Sequence, residues 1–519
     1  LRHINLDKAS DGFSKALEIL DAATNPSIWG AAISGYATTQ HRIGLLEEGS
    51  AAKSAFSNAI EGYRKVIAEA HTQEVAPGFW SADQTNLGIS FESLGDVSDG
   101  KEKSDCFGAA AEAFTTASNF FRNGPSLLAR LNALQSVNRV ESKREGWAKS
   151  AEQGWEAIGL VPQALAEANS TRELRGRLDR SRGVSDNTAY SLVRMGKIAD
   201  AVLAIEAGRV HLLRNELKML EAKLAPNDLS ELLDKRSRLA EMQTIFDSQS
   251  NSLNAASGGV QSGDQRDIYD SSQRDLQEAR ESFNAFALSH GLAGSKIPEQ
   301  NEFHDAFQGD LGPGAAVIIS VSLNGTLIFV LPNGQPTLEE THVSSLPSFD
   351  STSLSDLLTQ DEDGWFAKYA LLQFELQTAN RIARERPYEE ALPKFAAALN
   401  RWNSYLIDVL ERIWNDLMRA VDQALIDANI EEGCPISLIV PGQLSLLPLH
   451  AAGPSNGYGS ECFLDRWETS YVPSLQVLAS LRRRAASENR PAAKLLAITD
   501  PLGDLGADQN PAAAAFPKN

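Results

Sequence analysis

Two of the three cysteines and one of the eight histidines lie close together in one late stretch. Cys434, His450 and Cys462 surround ISLIVPGQLSLLPLHAAG (436–453), with Asp500 and Asp504 further on. An imidazole within reach of a thiol can generate a thiolate, and a thiolate attacks carbonyl carbon. Whether these side chains can meet depends on the elements that carry them. Cys434 lies in EEGCP, at the entry to an apolar run, whereas open α/β sheets build their sites at the opposite, C-terminal strand ends. Cys462 follows GPSNGYGSE, a turn-like stretch that would hold a nucleophile poorly. Asp500 and Asp504 sit near a strand end, where an aspartate commonly begins a turn or caps a helix.

Other chemistries lack their patterns. There is no GxxxxGK[ST] phosphate loop, no GxGxxG after a strand, no HExxH and no GxSxG nucleophile elbow, since GPSNG (453–457) fits those letters only within a turn-like stretch and not between a strand and a helix. The eight histidines are scattered singly, which gives a metal site no spacing. No catalytic, cofactor-binding or metal-binding residue is assigned, and no cofactor is expected.

The composition sets the wider limits. At 519 residues the chain is too long for one ordinary core, so at least two domains are expected. A net charge of −20 repels phosphate backbones and anionic lipid, arguing against nucleic acid or membrane as a main partner. Three separated cysteines without CxxC suit a reduced, cytoplasmic setting. The first residue is Leu and the last stretch is NPAAAAFPKN, so the chain is expected to be part of a longer protein.

The first half reads as helix after helix, with an internal repeat. AFSNAIEGYRKVI places Phe56, Ala59, Ile60 and Tyr63 on one helix face, and CFGAAAEAFTTA repeats the spacing at Phe107, Ala110, Ala111 and Phe114, 51 residues on. QHRIG (40–44) matches QTNLG (84–88) at an offset of 44, which pairs Gly44 with Gly88 and leaves the loop GDVSDGKEKSD to absorb the difference. Trp29 and Trp80 precede the paired segments, and a third copy is expected around SLLARLNALQSVNRVESKREGWAKSAEQGWEAI. Units that cannot bury their apolar face alone must stack on neighbours. This resembles a lengthened tetratricopeptide-type solenoid over 1–225; an ordinary helical bundle is the plainer alternative. Residues 226–300 read as a charged helical hairpin around the Ser/Gly-rich NSLNAASGGVQSGDQ.

At 315 the period changes. AAVIISVSLNGTLIFVLPNGQPTLEETHV carries Asn324-Gly325 and Asn333-Gly334 between β-branched runs, predicting an antiparallel meander with Asn-Gly at the turns. A long helix over about 392–426 keeps one apolar stripe from Leu399 to Leu425. ISLIV (436–440) and KLLAITDP (494–501) read as buried strands, with a short strand and a helix in ETSYVPSLQVLASLRRR (468–484) between them. Strands 436–440 and 495–499 are expected to pair in parallel, in a sheet lacking further strands.

These features together resemble the CHAT domain, a caspase-like α/β domain found behind tetratricopeptide repeats. The resemblance rests on AIEAGRVHLL (204–213), the run at 315–343, ISLIVPGQLSLLPLHAAG and WETSYVPSLQVL, in that order. It implies α plus α/β architecture: helical repeats, then at 301–519 the N-terminal portion of a CHAT domain. It also implies a cysteine peptidase whose repeats bind a protein partner and regulate cleavage of a peptide or protein substrate, in bacterial-type signalling or defence. The family's histidine and cysteine fall in loops after these elements, yet no histidine follows His450 and no cysteine follows Cys462. At His450 the family pattern has a packing residue, so His450 is expected to be buried and structural. The chain is then expected to lack a catalytic dyad. The alternative is a non-catalytic interaction scaffold, and a weaker one is a repeat protein with an unrelated α/β domain.

Overall fold

Prolines at 26 and 77 open two helices whose fourth residue is a buried tryptophan, Trp29 and Trp80. Proline suits a first helical turn, where its missing N–H has no partner to lose. The computed structural model describes residues 2–122, 127–166, 183–209, 225–255, 263–290, 313–334, 342–359, 364–385, 388–440, 442–454 and 461–487. The chain divides into two units, Leu1–Gln300 and Asn301–Asn519. Most described residues are helical, and the strands form one five-stranded mixed sheet in the second unit.

In the first unit, α1 (Arg2–Ile19) is followed by α2 (Pro26–Gly44), α3 (Gly49–Glu69), α4 (Pro77–Asp96), α5 (Gly100–Phe121), α6 (Leu127–Lys143), α7 (Trp147–Ala166), α8 (Val184–Arg194) and α9 (Ile198–Arg209). They pack as pairs, α2 on α3, α4 on α5, α6 on α7 and α8 on α9, and each pair touches the next. Each pair turns through one residue of positive φ: Gly49 (58°), Gly100 (56°), Glu145 (62°) and Gly196 (72°). Phe56, Ala59, Ile60 and Tyr63, and likewise Phe107, Ala110, Ala111 and Phe114, all lie in the core.

The spatial repeat corrects one sequence match. A Cβ on Gly44 would meet the Phe56 ring at 2.6 Å, and one on Gly95 would meet Phe107 at 2.7 Å. Gly95, not Gly88, is therefore the counterpart of Gly44, at the same offset of 51 that relates Phe56 to Phe107 and Trp29 to Trp80. Gly88 lies under Phe114 instead. GDVSDGKEKSD absorbs no insertion, because only Val97–Asp99 separates α4 from α5. String similarity misled here: what recurs is a small residue beneath a phenylalanine ring.

Helices α10 (Pro226–Ala255) and α11 (Gly263–Ser289) pair antiparallel, tied where Lys235 donates to Ser282 Oγ at 3.0 Å. Both run further into the Ser/Gly-rich stretch than its composition suggests; residues 256–262 lie outside the described ones. The end of the repeat reading, 210–224, also lies outside them.

The second unit begins with β1 (Ala315–Ser322), β2 (Gly325–Pro332) and β3 (Val343–Leu346). With β4 (Pro435–Ile439) and β5 (Glu468–Tyr471) they form a sheet of order β3-β2-β1-β4-β5. β1 pairs antiparallel with β2 and β2 with β3, while β1–β4 and β4–β5 are parallel. Every residue of β1 and β2 is buried, as strands covered on both faces require. The β1–β2 turn differs from expectation by one residue. Ser322 pairs with Gly325, so Leu323 and Asn324 form the turn and Gly325 (φ 125°) opens β2. A Cβ there would meet Pro347 Cα at 2.7 Å.

Beyond β3 come α12 (Ser351–Thr359), α13 (Trp365–Glu385) and α14 (Tyr388–Ile413), which runs through a π turn (Trp414–Met418) into α15 (Arg419–Asp427). The π turn keeps Ile413, Leu417, Met418 and Val421 on the sheet core. A single turn α16 (Phe463–Arg466) precedes β5, and α17 (Leu475–Ser487) follows it. The expected strand at 495–499 and its pairing lie outside the described residues; the parallel neighbours of β4 within them are β1 and β5.

Candidate functional site

Strands β1, β4 and β5 are parallel, so their C-terminal ends mark the sheet edge where a site would form. Beyond β4 the chain folds into 3₁₀ turns at Gly442–Leu446 and Leu449–Ala451. Leu449 and Ala452 point into the core and are fully buried. His450, between them, is turned outward and half-buried. The expectation of a buried ring is thus corrected: a 3₁₀ turn rotates adjacent residues apart, and Leu449 takes the core position.

His450 is held by Tyr471, the last residue of β5. Its backbone N–H donates to the Tyr471 hydroxyl at 3.1 Å, and its Nδ1 lies 3.1 Å from that same oxygen. The rings meet edge-on, 5.7 Å apart at 82°. Burial lowers the His450 pKa and raises that of Tyr471, which favours a neutral imidazole and a protonated phenol. A phenol that has accepted the backbone N–H can offer its own proton to Nδ1. The pair is suited to hydrogen bonding and positioning; nothing in it generates a thiolate.

The cysteines are engaged elsewhere. Cys434 is buried at the entry to β4, where its carbonyl accepts the Glu468 N–H at 3.2 Å. Cys462 caps α16, and its own N–H donates to Asp465 Oδ2 at 2.8 Å. Burial, then a hydrogen bond to the Asp465 carboxylate, pushes the Cys462 thiol up. Among the described residues no hydrogen bond joins His450 to either cysteine, and no group of three or more His, Cys, Asp or Glu could hold a metal ion. Asp500 and Asp504 lie outside the described residues.

Sequence reasoning missed the joints that hold these segments. Asp422, on α15, accepts the Trp467 indole N–H at 2.8 Å and pairs with Arg466, which also binds Glu432. In the first unit, Asp83 accepts Ser34 Oγ–H at 2.8 Å and lies 2.6 Å from His71 Nδ1, with both ionisable groups buried. Asn138 Nδ2 donates to the Ser150 carbonyl at 2.8 Å, and Ser191 Oγ donates to Ser150 Oγ at 2.9 Å, joining α6, α7 and α8. Only Tyr471 had a visible signal: an aromatic closing a short strand at the sheet edge.

No family model matches the chain, and no curated protein matches it. No described helix is long and apolar enough to cross a membrane.

Proposed function

We propose that the chain is a CHAT-type, caspase-like protein in which a tetratricopeptide-like solenoid receives a protein partner and regulates an α/β unit of the cysteine peptidase class. The recurrence that carries this reading is the succession of helix pairs, each turning on a residue of positive φ and the first two 51 residues apart, ahead of a unit with a parallel β1–β4–β5 core. Stacked pairs of this kind present a continuous surface for another chain. In this reading β1 to β3 are the meander that opens the domain, the setting is cytoplasmic, and the chain itself carries no dyad.

A second reading, a scaffold that cleaves nothing, is favoured by one observation: the Cys462 thiol is spent on a cap and pushed up rather than activated. One experiment tests the absence of a dyad that both readings share. The folded and the denatured chain are treated with a thiol-directed peptidase inhibitor, and cleavage of a peptide library is followed by mass spectrometry. The expected result is no cleavage and no labelling that needs the native fold. Fold-dependent labelling of one cysteine would overturn the dyad-free reading and establish an active peptidase. For the partner, hydrogen exchange on the intact chain with a captured protein should show protection along α2, α4 and α6. Protection confined to the second unit would sink the solenoid as receptor.

A further inference from the structure

The chain holds four Asn-Gly pairs, and two of them, Asn324-Gly325 and Asn333-Gly334, fall among the described residues, one at each end of β2. Asparagine followed by glycine is open to one intramolecular reaction, because a glycine nitrogen with no Cβ beside it can reach the preceding side-chain carbonyl. The fold treats the two pairs differently. Gly325 is buried in the ladder opposite Ser322; its carbonyl accepts Ser322 Oγ–H at 2.8 Å, and the Asn324 N–H donates to the same hydroxyl at 3.2 Å. Pro347 Cα and Leu346 O leave no room on Gly325 even for a methyl group. Gly334 is exposed beyond the last paired residue of β2, and nothing lies within 4 Å of where its Cβ would be. Its neighbour Asn333 is anchored instead. The Asn333 N–H donates to Gly314 O at 2.9 Å, and Arg482 Nη2, on α17, donates to Asn333 Oδ1 at 3.0 Å.

We propose that Asn333 is a self-modification site, at which Arg482 promotes conversion of the asparagine to aspartate and isoaspartate. The Gly334 nitrogen gives up its proton to solvent base and attacks Asn333 Cγ, so that a C–N bond forms and negative charge gathers on Oδ1. The guanidinium already bound to Oδ1 stabilises that charge, as an oxyanion-hole donor does. The bond from Cγ to Nδ2 then breaks, the departing nitrogen takes a proton from water and leaves as ammonia, and a cyclic imide remains. Water adds to one of the two imide carbonyls and opens the ring. Opening toward the main chain gives aspartate at position 333, whose carboxylate turns the hydrogen bond from Arg482 into an ion pair. Opening the other way gives isoaspartate, which adds a methylene to the main chain after β2. α17 packs on the sheet through Leu475, Leu478 and Ala479, all buried, which keeps its arginine at the site throughout. At Asn324 the same attack would have to break the Ser322–Gly325 pairing.

The test uses the full chain, incubated folded and denatured at neutral pH. Peptide mapping by mass spectrometry follows the amide-to-acid mass gain at each asparagine, and electron-transfer fragmentation locates isoaspartate. In the folded chain Asn333 should convert at least about tenfold faster than Asn324, whereas the two should convert at similar rates in the denatured chain. Arg482→Ala should slow Asn333 by about tenfold and leave Asn324 unchanged, with circular dichroism unaltered. Arg482→Lys keeps a cation without the planar fork and should slow it less. Equal rates at the two sites in the folded chain overturn the proposal, as does an Asn333 rate indifferent to Arg482→Ala. Should Arg482→Ala fail to fold, the unaltered chain decides alone. Conversion of Asn333 that is slower folded than denatured would mean that the fold protects the site, and the proposal falls.

Discussion

Arg139 grips Glu92 with two parallel hydrogen bonds, Nε to Oε1 at 2.8 Å and Nη2 to Oε2 at 2.6 Å. The pair joins α6 to α4, and Lys143 adds a contact to Glu92 at 3.0 Å. Burial alone would raise the Glu92 carboxyl, but the hydrogen bond and charge of Arg139, with the charge of Lys143, outweigh it and hold it below the usual range. A fork-to-fork arginine–carboxylate pair is the strongest geometry available to such a joint.

The sign of its pH dependence follows. A depressed carboxyl contributes stability that is present above its unfolded pKa, near ~4.3, and lost as pH falls through the lower folded value. Glu92→Gln should therefore destabilise the first unit by about 1–2 kcal/mol at pH 7. The gap from wild type in denaturant midpoint should close as pH drops below about 4. A gap that stays constant down to pH 3 would show that the charge of Glu92 does not hold the joint.

The turn residues make a second expectation. Gly49, Gly100 and Gly196 take positive φ without steric cost, but Glu145 does so with a Cβ. Glu145→Gly should stabilise by about 1 kcal/mol. At the matching helix crossings the opposite holds: Gly44→Ala and Gly95→Ala push a methyl into Phe56 and Phe107 and should each cost about 1–3 kcal/mol. Similar losses for the two would support their equivalence; a neutral Gly95→Ala would break the 51-residue register.

How far the sequence revealed this follows from which forces act locally. Helix periodicity is local, so the buried faces at Phe56–Tyr63 and Phe107–Phe114 were legible, as were β1, β2, β4, β5 and the long helix ending at Asp427. The Gly44–Gly88 match failed because local similarity carries no information about which ring lies over which glycine. The orientation of His450 was equally hidden, since the 3₁₀ turn that rotates it outward depends on Leu449 and Ala452 filling the core. Polar joints such as Asp83–His71 interrupt apolar stripes in the sequence and gain meaning only from a partner in another helix.

For His450 the expectation is differential. His450→Leu keeps the backbone N–H to Tyr471 and should cost less than about 1 kcal/mol, while Tyr471→Phe removes the hydroxyl that accepts from the backbone N–H and donates to Nδ1 and should cost about 1–2 kcal/mol. Burial depresses the imidazole pKa, so the folded chain binds its proton less readily than the unfolded one. Its contribution is present above ~6.5 and lost as pH falls through the folded value, so His450→Leu should gain on wild type below pH 6. Midpoints from imidazole proton NMR check the direction, and a value above that of a free histidine would contradict the assignment.

Asp422 and Trp467 offer the most stringent check on the second unit. Trp467 is fully buried, and its indole N–H finds Asp422 Oδ1 at 2.8 Å across a sequence gap that joins α15 to the start of β5. Arg466 reaches the other Asp422 oxygen, so one carboxylate satisfies two donors. Asp422→Ala strands a buried indole N–H and loosens the arginine, and should cost about 2–4 kcal/mol. Trp467→Phe also deletes packing volume, but it removes the orphaned donor. The double variant should therefore lose about 1–2 kcal/mol less than the sum of the single losses, because the second change relieves the defect left by the first. Denaturant unfolding followed at a far-ultraviolet wavelength avoids relying on the deleted fluorophore. Strict additivity would mean that the two residues act independently, and that β5 is held to the helical layer by packing alone.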